Sequence, residues 1–110
     1  MTTITVRKDK KGAYRGFTCM GHAEYAKRGK PDILCAAISA LTIGTVCSLE
    51  ELAGERLKIT ENEETGFLKC DFESVLQEKS AFLMDSMVFS LENISREYGR
   101  KYLQVKFEEV

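Results

Sequence analysis

Polar and apolar residues alternate over residues 3–7, where Ile4 and Val6 sit between Thr3, Thr5 and Arg7, and this period of two predicts a strand. Asp9-Lys10-Lys11-Gly12 is a polar turn, and residues 14–22 read as the second strand of a hairpin. Its alternation puts Tyr14, Gly16, Thr18 and Met20 on one face and Arg15, Phe17, Cys19 and Gly21 on the other, with His22 at the strand end. Residues 23–31 have no apolar period. They carry Glu24, Lys27, Arg28 and Lys30, with Gly21 before them and Gly29 within them, which predicts a loop with flexible hinges at the two glycines.

Asp32 is a good N-cap, and a helix is expected from about residue 33 to residue 52. Leu34, Ile38, Leu41, Thr45 and Leu49 mark one face of it, and Ala36, Ala40, Gly44 and Cys47 a second face of small residues. No charge appears before Glu50, so the helix is expected to be buried on nearly every side, with Ile38 and Leu41 almost fully so. Gly54 closes it. Alternation over 56–60 and 67–72, with a turn at 62–66, predicts a second hairpin. Ser74-Val75-Leu76-Gln77 has capping-box spacing and predicts a second helix running to about Tyr98, with Leu83, Met87, Leu91, Ile94 and Tyr98 inward and Gly99 as its C-cap. Residues 102–108 alternate again. The order strand-strand-helix-strand-strand-helix-strand, with no repeat or linker, gives one α+β domain over residues 1–110. Its two helices pack on a mainly antiparallel sheet.

The chain of 110 residues is 44% apolar and 30% charged, a globular composition large enough to fold without disulfides or metal. A net charge of -1 gives no basic excess for a nucleic-acid partner. Residues 1–11 hold no apolar signal core, and the uncharged run 33–49 reads as too short and too polar for a membrane span. A cytoplasmic protein is expected. Cys19, Cys35, Cys47 and Cys70 form no CxxC pair, and with one histidine in the chain neither a zinc site nor any other cofactor is expected.

The only histidine and one of the cysteines fall in the same segment, 21–37. Cys35 lies about one turn inside a helix start, where partial positive charge and free backbone N–H groups favour a thiolate. An imidazole in reach can take the thiol proton and return it to a leaving amine, and the same N–H groups could hold an oxyanion. A cysteine in an Ala-rich helix, a histidine at a strand end and an Asp N-cap are each more often structural. Residue types alone therefore leave a Cys-His site as the less common reading. Cys47 in mid-helix and Cys70 in mid-strand read as core, and no helix start activates Cys19.

Gly21-His22-Ala23, then Gly29, then Asp32-Ile33-Leu34-Cys35-Ala36-Ala37-Ile38-Ser39-Ala40-Leu41 resembles the paired signature of the bacterial ribosomal-processing cysteine proteases, the Prp family. The element order is similar as well, so the resemblance covers nearly the whole chain. It departs from the pattern at Glu24, where a small or polar residue is usual, and in a loop lengthened by Pro31.

The resemblance implies a catalytic dyad of Cys35 as nucleophile and His22 as base; beside it, Asp32, as the cap of the helix that presents Cys35, is the candidate group to orient His22. Gly21 and Gly29 would let the loop close over an extended peptide. It further implies a homodimer that removes the N-terminal extension of a large-subunit ribosomal protein precursor, number twenty-seven, cutting after an aromatic pair. Two other functions stand as alternatives: a non-enzymatic, ribosome-associated binding module of this fold, against which the presence of both His22 and Cys35 argues, and a thiol redox sensor. The sensor suffers from having no second cysteine near Cys35 in sequence.

Overall fold

The computed structural model describes residues 1–27 and 29–110; Arg28, which the sequence places in the first loop, lies outside the described residues. Strands β1 (Thr2–Lys8), β2 (Tyr14–Met20), β3 (Leu57–Asn62), β4 (Phe67–Phe72) and β5 (Leu103–Glu109) form one sheet in the order β3-β4-β2-β1-β5. Neighbours pair antiparallel except β1 with β5, which run parallel. Helices α1 (Ile33–Cys47) and α2 (Glu78–Tyr98) pack on it. This is the expected α+β architecture, and its parallel pair follows from α2 acting as the crossover into β5.

One irregularity sets which side chains of β2 reach the core. Arg7 pairs with Gly16 but Lys8 pairs with Tyr14, so Arg15 is an extra, bulged residue. The bulge breaks the alternation read from the sequence. Tyr14 and Phe17 both face the core, whereas strict alternation put them on opposite faces. The Tyr14 hydroxyl reaches Asp85 on α2. On the outer face Arg7 bridges to Asp71 at 2.8 Å and to Thr18 at 2.6 Å, passing over Gly16. A Cβ at Gly16 would lie 2.7 Å from the Arg7 guanidinium and 2.5 Å from the Cys70 carbonyl, so only glycine fits beneath that network.

Leu34, Ile38, Thr42, Val46 and Leu49 form the buried stripe of α1, at the spacing of one helix face. Ile38 is 3% exposed, as expected, but Leu41 and Thr45 are only half-buried, and Ala36, Ala40, Gly44 and Cys47 are exposed. The expectation of burial on nearly every side is therefore corrected. In the single chain α1 has one covered face, because one sheet and one neighbouring helix subtend only part of its circumference. The helix continues through a π-helical turn, Ser48–Leu52. Ile33–Leu52 is a helical run of 20 residues holding a stretch of mean hydropathy 1.8, long and apolar enough by length and composition alone to cross a bilayer, where residues 33–49 were expected to be too short and too polar; the core helix of a water-soluble protein meets the same measure.

The capping box expected at Ser74 does not form. Glu78 is the first residue of α2, its N-cap Gln77 makes no side-chain cap bond, and Ser74 is exposed. A tertiary cap replaces it: Glu55 Oε2 accepts the Gln77 backbone N–H at 3.0 Å, and Gln77 Nε2 donates to the Ala53 carbonyl at 2.9 Å. The buried face of α2 carries Met84, Met87, Val88 and Leu91, while the expected Leu83 and Ile94 are half-buried and Tyr98 is exposed. Replacing a fully buried aliphatic leaves a cavity as well as a lost transfer free energy. Ile38→Ala is therefore expected to cost about 3 kcal/mol and Leu41→Ala about half that, measured by urea denaturation at unchanged m-value.

Candidate active site

Cys35 sits in the first turn of α1, where Asp32 holds the helix start. Asp32 Oδ1 accepts the N–H groups of Leu34 and Cys35, both at 3.0 Å. Its Oδ2 accepts the N–H of Tyr25 at 2.8 Å and of Ala26 at 3.2 Å, on the loop that follows His22. Desolvation raises the pKa of this carboxyl, but the bonds from Cys35, Ala26, Tyr25 and Leu34 outweigh it and leave the pKa below the usual carboxylate value. Tyr25 is also clamped edge-on between the rings of Tyr98 and Tyr102, with centroids 5.6 and 5.0 Å away. The loop before Pro31 is thus docked in its first half.

His22 lies two residues past β2, which ends at Met20, so it is in the connection and not on the strand. Gly21 takes φ 90° and is fixed on both sides. Its N–H donates to the Gly66 carbonyl at 3.0 Å, and its carbonyl accepts the Thr2 hydroxyl at 3.3 Å. A Cβ there would meet the Met1 carbonyl at 2.5 Å. Gly21 is therefore an anchor and not the expected flexible hinge. Gly29 takes φ 83°, and among the described residues nothing lies within 4 Å of where its Cβ would be. The His22 ring packs against Gly66 and sets Nε2 3.3 Å from the Glu64 carbonyl.

His22 and Cys35 both line a cleft of about 290 Å³ whose other walls include Thr2, Cys19, Ser39, Thr42, Glu61 and Leu68. Both also border an adjoining depression formed by the loop, with Lys27, Lys30 and Asp32. Cys35 Sγ accepts the Ala23 N–H at 3.3 Å, so the residue after the imidazole supplies a backbone donor to the sulfur. A thiolate would gain most from such a donor, because its charge is localised there. Two of the N–H groups at the start of α1 that were expected to receive an oxyanion, those of Leu34 and Cys35, are held by Asp32. Among the described residues the hydrogen bonds of Asp32 all go to backbone N–H groups, and the imidazole's hydrogen-bond partner is the Glu64 carbonyl.

The other thiols differ in surroundings. Burial pushes Cys19 up to about 11, and the charge of Cys35 nearby adds to that. Burial, then the charges of Asp71 and Glu50, push Cys70 up to about 12. Cys47 is exposed, so the reading of it as core is corrected. A second cysteine does lie beside Cys35 in space, brought there by β2 passing under α1, a proximity invisible in sequence spacing. The wall that the sequence missed altogether is the end of β3, Glu61 and Asn62, with the β3–β4 turn at residues 63–66. Its signal was Gly66, read only as a turn residue. A Cβ on Gly66 would stand 2.7 Å from the Gly21 carbonyl oxygen and 3.0 Å from His22 Cε1.

A family model described as cysteine protease Prp matches residues 1–104. The chain belongs to the Prp family of cysteine proteases. A Prp described as a ribosomal processing cysteine protease, from Bacillus subtilis, is 30% identical over 102 residues, covering 89% of this chain and 90% of that relative. A Prp from Staphylococcus aureus is 26% identical over 99 residues, covering 90% and 92%. In fold, the chain matches the crystal structure of an essential S. aureus ribosomal processing protease Prp in complex with a covalently linked product peptide. The TM-score is 0.89 at 24% identity, over 98% of this chain and 100% of that one. As a Prp-family member, the protein is a cysteine protease.

Two outcomes follow for this Prp-family protease. At neutral pH a small alkylating agent should label Cys35 and Cys47 in the folded protein and spare Cys19 and Cys70, whose thiols stay protonated; mass spectrometry reads the pattern. Asp32→Ala should cost about 1 kcal/mol at pH 7, typical of a lost N-cap. Because the folded-state pKa of Asp32 is lowered, its ionic contribution is complete above the unfolded carboxylate range and is lost as pH falls through the folded value. The difference in melting temperature between Asp32→Ala and the parent should therefore narrow below about pH 4.

Proposed function

We propose that Cys35 and His22 are the catalytic dyad of this protease and that its substrate is a ribosomal protein precursor. The observation that carries the assignment is the shared cleft, in which the only imidazole of the chain and a sulfur with a backbone donor face one space. His22 takes the Cys35 proton, and Sγ attacks the scissile carbonyl carbon. The C–S bond forms as the carbonyl π electrons move to oxygen, and the C–N bond breaks as His22 gives its proton to the leaving nitrogen. Water, deprotonated by His22, then attacks the thioester. The C–S bond breaks, the new carboxylate leaves, and the thiol is restored. The cleft is open along the edge of α1 and suits an extended peptide, with Ile38, Ile43, Phe67 and Leu68 as its apolar lining.

The Bacillus and Staphylococcus relatives are ribosomal processing proteases by description, which supports the precursor as substrate. The finer reading is removal of the N-terminal extension of large-subunit protein twenty-seven. The reaction needs neither metal nor cofactor. Cysteines Cys19, Cys35, Cys47 and Cys70 are all free, which fits a cytoplasmic setting. A net charge of -1 favours neither nucleic acid nor an anionic membrane as partner. A C2 homodimer is favoured by Phe82 and Phe89, 72% and 67% exposed and on one face of α2 at i, i+7, together with the uncovered small-residue side of α1.

The test is cleavage of a peptide spanning the extension. Cys35→Ala should abolish it, His22→Ala should remove most of it, and Cys35→Ser should be nearly inactive, since a hydroxyl is a far poorer nucleophile. Melting temperatures should stay within a few degrees of the parent. Full activity in Cys35→Ser, with loss only on replacing Cys19, would move the nucleophile to the other thiol; no cleavage by the parent would favour the binding module. Sedimentation at micromolar concentration should give twice the 12.4 kDa chain mass, and Phe82→Ser with Phe89→Ser should return it to the monomer.

A further inference from the structure

We infer that the β3–β4 turn is the third member of the site: the Glu64 carbonyl fixes the tautomer and direction of the His22 ring, with Asn62 and Gly66 as positioning residues. The inference rests on the assignment of His22 as base. His22 Nε2 lies 3.3 Å from the Glu64 carbonyl oxygen. A carbonyl can only accept, so the ring nitrogen facing it carries the proton. In the neutral ring that leaves Nδ1 with the free lone pair, and Nδ1 is the atom that receives the Cys35 proton. When the ring becomes a cation after proton transfer, the bond to the carbonyl is charge-assisted and strengthens as the reaction proceeds. An orienting group for a catalytic imidazole works in this way whether it is a side chain or the main chain.

The turn is built to keep that carbonyl in place. Asn62 Oδ1 accepts the Glu64 N–H at 3.1 Å, the Gly66 N–H returns to the Glu63 carbonyl at 3.2 Å, and the Thr65 hydroxyl binds the Asn62 carbonyl at 3.3 Å. The far end is tied to the residue before His22, since the Gly21 N–H donates to the Gly66 carbonyl at 3.0 Å. Gly66 sits at φ 66° with no room for a Cβ between Gly21 and the imidazole. The backbone that carries His22 and the backbone that orients its ring are thus one hydrogen-bonded unit. Asp32, the side chain the sequence offered for this role, is engaged with Tyr25, Ala26, Leu34 and Cys35.

Because the chain has one histidine, its ring nitrogens can be observed without ambiguity in a 15N-histidine-labelled sample. The neutral ring of the parent should carry its proton on Nε2, with that proton exchanging slowly enough with water to be detected. Asn62→Ala, which frees the turn, should lose the proton signal and lower kcat about tenfold, the worth of one hydrogen bond, with KM changed by less than about twofold. Asn62→Asp keeps an acceptor for the Glu64 N–H and should restore both readouts. Gly66→Ala should lose more than Asn62→Ala, because its Cβ drives the turn off the imidazole. Melting curves separate these effects from unfolding. A neutral ring protonated on Nδ1, or an Asn62→Ala variant with parental kcat, would overturn the inference. Cys35→Ala and His22→Ala in the same assay test the dyad itself, so the two failures are distinguishable.

Discussion

Much of the site hangs on the carboxylate of Asp32. One of its oxygens closes the start of α1 and the other holds the loop that leaves His22, so a single side chain fixes the two segments that must meet. Four backbone N–H groups are a strong trap for a charge, and they explain why ionisation is favoured despite desolvation. The arrangement has an electrostatic consequence for Cys35. A negative charge at the N-cap stabilises the helix but also offsets the positive field that a bare helix start would offer a thiolate. The donor to sulfur is correspondingly local, the Ala23 N–H, and it comes from the same loop that Asp32 positions. Helix capping and the donor to the Cys35 sulfur are thereby separated between two backbone segments.

Sheet order supplies the second constraint. Because β4 lies beside β2, the turn that joins β3 to β4 arrives at the end of β2, where His22 begins the loop. Close approach is possible only with glycine on each side of the contact, Gly21 against Met1 and Gly66 against His22. Glycine's role here is steric in both cases: main chain packs on main chain with no space for a methyl group. The cost in chain entropy is offset by the hydrogen bond from Gly21 to Gly66 and by the rigidity it gives the imidazole.

The thiols show how one chemical group acquires different properties within one small fold. Cys70 at the centre of β4 and Cys19 near the end of β2 are held protonated by desolvation, whereas Cys35 opens on a cleft and Cys47 on solvent. The single-sided burial of α1 belongs to the same economy. Its inner stripe supports the sheet, its N-terminal turn presents Cys35, and its outer side of Ala36, Ala40 and Gly44 is exposed in the single chain.

The elements themselves were legible in the chain, since periods of two and of 3.6, Asp32 as a cap, and Gly54 and Gly99 as stops are local signals read within a few residues. That His22 and Cys35 line one cleft was foreshadowed by the short segment they share and by the resemblance it carries. Three things were not legible, and each depends on residues distant in sequence. The bulge at Arg15 shifts the inward face of β2 by one residue, and only pairing with β1 shows it. The cap of α2 comes from Glu55 and not from Ser74, because a carboxylate from a preceding segment reaches Gln77 first. The partner of His22 is a carbonyl, an atom every residue carries, so no side-chain pattern could mark it. Sequence determined which residues could do chemistry, because reactivity is a property of residue type. Tertiary structure decided which backbone atoms serve them, because backbone groups are alike everywhere and only their placement distinguishes them.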